Sequence, residues 1–239
     1  MRMAEESWEK YFDTHPDRDG VPERDRFLCS HAPCFYDAFT KRRRSRPTAY
    51  LFMGAPGSGK SGLPAFFEKR GANPDECLCI DPDEYKKLLP EYEGGSGAPA
   101  VHEESSWIAR QVRAIAIGRQ CSLMNDGVGA NVGKYASIIQ RLKENAYKVE
   151  LACLIVLDIN ILIGRVAVRA ERTGRIVPES DVRKAHREVP SCFEKLHRFV
   201  DSAFLLDGVT GKPVWSRISG RTTVYDRDFV STLGLELVR

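Results

Sequence analysis

The chain has 239 residues, 42% of them hydrophobic and 29% charged, which is enough apolar material for one good-sized domain with a buried core. Lysine and arginine number 36 against 33 aspartate and glutamate, a formal charge of +3. That balance excludes a protein whose main role is to coat nucleic acid or a membrane surface. No apolar run approaches the roughly 18 residues a membrane span needs. The opening MRMAEESWEK carries acids where a secretory signal needs an apolar stretch. Seven cysteines are scattered, several inside apolar runs, which reads as reduced, buried thiols in a cytoplasmic protein.

Residues 1–46 form a polar N-terminal extension that ends in the basic run KRRRSR. From residue 47 to 239 apolar strand-like runs alternate with helix-period segments. This predicts an α/β domain, a three-layer sandwich with a mostly parallel sheet and helices on both faces. Residues 48–53 (TAYLFM) read as a buried strand, followed by a glycine-rich turn and a helix to about residue 69. A short strand at 77–80 ends in Asp81. The loop EGGSGAP then leads to a long helix near 101–118, where Ile108, Val112 and Ile115 share a face. Residues 121–125 are a third strand. Asn131 caps a helix whose Val132, Tyr135, Ile138, Ile139 and Leu142 lie on one side. Residues 149–157 (VELACLIVL) are nearly continuously apolar, as a central parallel strand covered on both faces should be. Helices at 159–170 and 179–199 flank the basic stretch RAERTGRIVPE, and a strand at 203–206 and a hairpin around 212–226 follow.

Residues 54–61 read GAPGSGKS, a full GxxxxGK[ST] match placed after a strand and before a helix. In the loop Gly54, Ala55, Pro56, Gly57, Ser58 and Gly59 the glycines let the backbone curl so that several N–H groups point at a phosphate chain, aided by the helix N-terminus. In this pattern Lys60 reaches the β- and γ-phosphates and the Ser61 hydroxyl ligates Mg²⁺. Pro64 falls past the first turn of a helix begun at the lysine, where its ring should crowd the Lys60 carbonyl and kink the helix.

Asp83 lies 23 residues after Lys60, just past the second strand, at the sheet edge where doubly wound folds bind ligands. There it is placed to take the proton of an acceptor hydroxyl attacking a γ-phosphorus, while Asp81 reads as the helix cap. No guanine-specifying NKxD-like motif is present, which turns the reading from GTPases towards compact kinases.

The stretches PTAYLFMGAPGSGKS, IDPDEYKKLLPEY, VHEESSWIA, NDGVGANVGKYASIIQRLKENAYKVEL and RAERTGRIVPE, in that order over about residues 47–207, resemble the zeta-toxin family of P-loop kinases. The resemblance implies ATP and Mg²⁺ as cofactors and, as acceptor, the hydroxyl of a UDP-activated amino sugar such as UDP-N-acetylglucosamine. Lys60 and Ser61 match the family's phosphate lysine and magnesium hydroxyl, and Asp83 its general base. Arg169 and Arg175 match two lid arginines that neutralise charge during transfer. Glu103, Glu104 and Asp126 are the candidate acceptor-facing acids. An antitoxin-like inhibitor protein is implied as a partner; alternatively, residues 1–46 occlude the cleft themselves. The sequence departs from the family pattern at Val128, Ala130 and Arg110, positions that face the acceptor. Another small-molecule acceptor, such as NAD or an antibiotic, is therefore an alternative, and a nucleotide-binding regulatory module without transfer is a second.

Other features read as structural. The group Cys29, His31, Cys34 and the pair Cys77, Cys79 lack zinc-ligand spacing. None of the five histidines is assigned a metal. KRRRSR is solvated charge at the sheet edge opposite the phosphate loop, His186 packs, and Trp215 belongs to the core.

Overall fold

A computed structural model describes residues 41–237 of the chain. Its seven strands form one sheet: β1 (Thr48–Gly54), β2 (Leu78–Ile80), β3 (Leu123–Asn125), β4 (Lys148–Ile155), β5 (Ser202–Asp207), β6 (Pro213–Ile218) and β7 (Arg221–Val224), in the order β2-β3-β1-β4-β5-β6-β7. The five from β2 to β5 run parallel, and β6 and β7 add an antiparallel edge. Because β1 sits between β3 and β4, the chain leaves β1 at the point where the strand order reverses, which opens a crevice above its carboxyl end.

The helices are α1 (Leu63–Glu68), α2 (Pro82–Lys86), α3 (His102–Arg119), α4 (Val132–Glu144), α5 (Ile159–Thr173), α6 (Glu179–Leu196) and α7 (Arg227–Thr232). Side chains of the central strands alternate between two apolar layers. Leu51, Met53, Leu151, Cys153 and Leu205 face the larger layer, closed by α3, α4, α5, α6 and α7. Phe52, Ala152, Leu154, Phe204 and Leu206 face a smaller one, where α1 contributes Leu63 and Phe67. Both faces being covered explains why β4 reads as a nearly continuous apolar run, with Glu150 the one charged residue after Lys148. In the smaller layer Phe52 and Phe204 pack on Phe67, and the Arg70 guanidinium lies 4.3 Å from the Phe204 ring centre.

Local signals explain most element ends. Asn131 accepts the Lys134 N–H at 2.9 Å and starts α4, and the Asp158 side chain does the same for α5 through Asn160 N–H. Ile108 and Val112 of α3 are buried, and Ile115 is half-buried against the same layer. Pro64 has a different outcome from a mid-helix kink. Residues Lys60–Gly62 form a separate 3-10 turn, so α1 begins at Leu63 and Pro64 sits in its first turn, where its missing N–H costs nothing. The last helix, α7, was not expected from the sequence; Asp226 caps it through Phe229 N–H.

The features read as structural have structural partners. Trp215 is fully buried and donates its indole N–H to the Leu237 carbonyl at 3.0 Å. His186 Nε2 lies 3.0 Å from the Val156 carbonyl, tying α6 to the end of β4. The basic run is pinned at the sheet edge opposite the phosphate loop: Arg44 pairs with Glu76, and Lys41 donates to the Asp75 carbonyl. Cys77, Cys121, Cys153 and Cys192 are buried free thiols and Cys79 is an exposed one. Cys29, His31, Cys34 and the proposed occlusion by residues 1–46 lie outside the described residues, apart from 41–46. No helix among the described residues is long and apolar enough to cross a membrane.

Candidate active site

The crevice above β1 contains a cavity of about 620 Å³. Its floor is the phosphate loop between β1 and α1, through Pro56, Gly57, Gly59, Lys60 and Ser61. The loop is wedged against α5. Gly57 has φ +82°, and a Cβ there would lie 2.8 Å from the Leu162 carbonyl oxygen, so neither the conformation nor the space admits a side chain. Arg165 of α5 braces the loop by donating to the carbonyls of Gly57 at 3.2 Å and Gly208 at 2.8 Å. Lys60 folds back over the loop, its Nζ donating to the carbonyls of Gly54 at 2.7 Å and Ala55 at 3.2 Å. Burial lowers the pKa of this ammonium, while Asp126 and Asp83 favour its charged form.

Asp83 enters from α2. Asp81 caps that helix by accepting the Asp83 N–H at 2.8 Å, which leaves the Asp83 side chain to face the cavity. Its carboxylate is held at 2.5 Å by Arg175 and at 3.3 Å by Lys86. Burial pushes the Asp83 carboxyl up, but Arg175 and Lys86 outweigh it and hold it below the usual carboxylate range. Asp126 follows β3 on the same wall. Burial pushes its carboxyl up to about 6, against Lys60 and with help from Asp81 and Asp83. Its Oδ1 is buried without a hydrogen-bond partner.

A further wall comes from the last turns of α5 and the turn that follows it. Arg169 and Arg175 both line the cavity, and Thr173 Oγ1 donates to the Arg169 carbonyl at 2.8 Å and receives the Arg175 N–H at 3.4 Å. The turn is set from outside by the EGGSGAP loop. Gly95 has φ +122°, and a Cβ on it would sit 2.6 Å from Arg175 N, so the two backbones touch.

Thus Lys60, Ser61, Asp83, Asp126, Arg169 and Arg175 share one cavity. The two acids of α3 do not join them. Glu103 lines a second cavity of about 540 Å³ between α3 and α4, and Glu104 is buried and lines neither. Sequence reasoning overlooked Arg165, Arg113, Lys134 and Tyr135, which also line the main cavity. The i, i+4 spacing of Arg165 and Arg169 on α5 was the available signal for the first. Tyr135 donates its hydroxyl to the Phe52 carbonyl at 2.7 Å, and Arg113 donates Nε–H to Asn125 Oδ1 at 2.9 Å.

A mostly parallel sheet with the GxxxxGKS loop at its switch point is the P-loop kinase fold. Solved structures share it. A chain of the PezAT chromosomal toxin-antitoxin system of the human pathogen Streptococcus pneumoniae superposes with a TM-score of 0.65 at 16% identity, covering 98% of this chain and 89% of that one. The AvrRxo1-ORF1:ORF2 complex solved with ATP gives 0.64 at 21% identity, covering 94% and 74%. The same complex with sulphate ions gives 0.64 at 21% identity, covering 94% and 75%. No curated protein sequence matches. The family described as Zeta toxin matches residues 35–228, and the chain belongs to that family of P-loop kinases. A phosphotransferase activity of the zeta-toxin type follows at that level of detail.

Proposed function

We propose that the protein transfers the γ-phosphoryl of ATP to a hydroxyl of a nucleotide-activated sugar of the UDP-N-acetylglucosamine kind. The observation that carries this reading is the single cavity in which the Lys60 phosphate loop and the Asp83 carboxylate face each other, with Arg169 and Arg175 on the remaining wall. ATP is the donor because the loop is built for a phosphate chain and a fold relative was solved with it.

In this reading the triphosphate takes the place Lys60 now covers, and Lys60 leaves the Gly54 and Ala55 carbonyls for the β- and γ-phosphates. Arg175 moves from Asp83 to the incoming phosphoryl group, alongside Arg169, so nucleotide arrival uncovers the carboxylate. The acceptor oxygen then forms a bond to the γ-phosphorus as the bond to the bridging oxygen breaks and ADP departs. Asp83 takes the hydroxyl proton. With its carboxyl below the usual range, Asp83 mainly orients the hydroxyl and accepts the proton late. Catalysis is positioning plus charge neutralisation.

The residues present fit Mg²⁺. Ser61 lines the cavity, and Asp126 presents a buried oxygen without a hydrogen-bond partner. A hydroxyl, a carboxylate, phosphate oxygens and water form the usual magnesium donor set. When bound, Mg²⁺ neutralises charge on the β- and γ-phosphates.

The test is product mass. The protein is incubated with ATP, Mg²⁺ and a panel of UDP-sugars, NAD and small alcohols, and each acceptor is weighed. A gain of about 80 Da, one phosphoryl group, on a UDP-sugar supports the proposal. A gain on NAD or a small alcohol instead overturns the acceptor. ATP binding with no gain on any acceptor overturns transfer and leaves a binding module. An antitoxin-like partner that blocks the cleft belongs to the same proposal, supported by the toxin-antitoxin system from which one fold relative comes.

A further inference from the structure

Lys86 is a buried cation that lies outside the lining of the main cavity and takes no part in the phosphate loop. It is 6% exposed and stands one turn after Asp83 on α2, with its Nζ 3.3 Å from Asp83 Oδ1. Among the described residues Asp83 is its one ion-pair partner. Arg175 takes the other oxygen, Oδ2, at 2.5 Å. Each oxygen of the carboxylate therefore has its own cation, and the two cations come from different elements.

The two differ in how firmly they are tied to Asp83. Arg175 reaches across from the turn after α5, and its Nε is buried without a hydrogen-bond partner. Lys86 belongs to the same short helix as Asp83, three residues on, and travels with it. Stability alone does not call for a lysine at this position. Taking an ammonium out of water is costly, and an apolar side chain of similar volume is often neutral or stabilising in its place. Burial lowers the pKa of Lys86, and Asp83 is the first of the neighbours that favour its charged form.

The charges around Asp83 show what the lysine offsets. Asp81 and Asp126 line the same cavity, and each is affected by the Asp83 charge. Burial pushes the Asp83 carboxyl up, while Arg175 first and Lys86 second hold it down. A bound triphosphate adds negative charge to this space and draws the first of those cations away.

We infer that Lys86 is a positioning residue for transfer, which stays on Asp83 Oδ1 when Arg175 leaves and so fixes the carboxylate with Oδ2 turned to the acceptor hydroxyl. It is also the counter-charge that remains, keeping the uncovered carboxylate ionised and able to take the proton. Lys86 touches neither nucleotide nor acceptor in this arrangement; it acts through Asp83. The inference rests on the kinase reading, in which a phosphoryl group draws Arg175 off the carboxylate.

The experiment compares full-length wild type, Lys86→Met, Lys86→Arg, Asp83→Asn and the double variant Asp83→Asn/Lys86→Met. Single-turnover transfer of labelled phosphate from ATP to UDP-N-acetylglucosamine with Mg²⁺ is paired with calorimetric ATP titration and thermal melts. Lys86→Met should lower the rate at saturating substrates by about 10–100-fold, with ATP affinity and the KM for the acceptor within about threefold of wild type. Its melt should be unchanged or raised, which separates the effect from loss of the fold. Lys86→Arg should recover most of the rate, since a single contact to one oxygen asks for a cation and not for a particular shape. Adding Lys86→Met to Asp83→Asn should cost nothing further, because the lysine acts only through the carboxylate. A wild-type rate in Lys86→Met overturns the inference, as does a full further loss in the Asp83→Asn background. A crystal structure of wild type with a non-hydrolysable ATP analogue needs no acceptor. There Lys86 Nζ should lie within about 4 Å of Asp83 while Arg175 contacts the γ-phosphoryl group. Lys86 found away from Asp83, or Arg175 still on it, overturns the inference. A wild type that shows the expected contacts but transfers nothing to UDP-sugars, NAD or small alcohols overturns the kinase reading instead, so the two failures are distinct.

Discussion

Replacing Asp83 by asparagine separates proton acceptance from everything else the residue does. The amide keeps the shape and can still accept a hydrogen bond, but it cannot take the hydroxyl proton. The expected loss in kcat is about 10²–10⁴, the range attributed to a positioned general base. ATP binding should change by less than about threefold, because Asp83 contacts Arg175 and Lys86 and not the phosphate loop. A structural cost accompanies the catalytic one. The Lys86 side chain is 8% exposed and loses its carboxylate partner, but the Asp83 side chain is 37% exposed, so water screens the pair. After that discount the loss is about 1 kcal/mol, or roughly 2–4 °C in Tm for a domain of this size. The assay pairs single-turnover transfer of labelled phosphate with calorimetric ATP titration and a thermal melt. Unchanged kcat would refute the assignment of Asp83 as base. Joint loss of ATP affinity and transfer would place Asp83 in the phosphate site instead.

The remaining predictions follow from neighbouring geometry. Lys60→Ala should weaken ATP by about 10² or more, measured by calorimetry, with the melt little changed; wild-type affinity would contradict the phosphate assignment. Asp126 has its carboxyl near 6 without Mg²⁺. Protons compete with Mg²⁺ for it, so the Mg²⁺ concentration that gives half-maximal transfer should rise as pH falls through 6, and Asp126→Asn should remove that pH dependence along with most of the activity. Gly95→Ala should push the lid turn off Asp83, because its Cβ meets Arg175 N at 2.6 Å. Transfer should drop by about tenfold or more with ATP affinity nearly intact, as expected when an arginine that acts in transfer is misplaced. His197, buried between Phe193 and Trp215, is held down to about 4 by burial and then by Arg198 and Arg217. Its folded value lies below the unfolded one, so its neutral form stabilises the fold above about pH 6.5. That contribution, about 3 kcal/mol at most, is lost as pH falls from there towards 4. A pH series of melts on His197→Phe should be flatter over that window than wild type.

Much of the site was legible because its signals are local. Eight consecutive residues carry the whole GxxxxGKS pattern, and Asp81 and Asn131 cap their helices through N–H groups two and three residues on. The nearly continuous apolar run of β4 already announced a strand covered on both sides. Pro64 was misjudged because the start of α1 depends on where the phosphate loop ends its own turn, which spacing does not reveal.

What the amino-acid order settles here is the elements and the phosphate loop, because periodicity, capping and glycine placement act within a few residues of themselves. Which side chains meet across the crevice was decided by the strand order β2-β3-β1-β4-β5. It sets Asp83 against Arg175, 92 positions later, and moves Glu103 and Glu104 out of the main cavity. It also gathers Arg113, Lys134 and Arg141 from separate helices. Charges brought together from distant segments leave no trace in local pattern, since the free energy that unites them comes from packing two apolar layers on one sheet and not from the charges themselves.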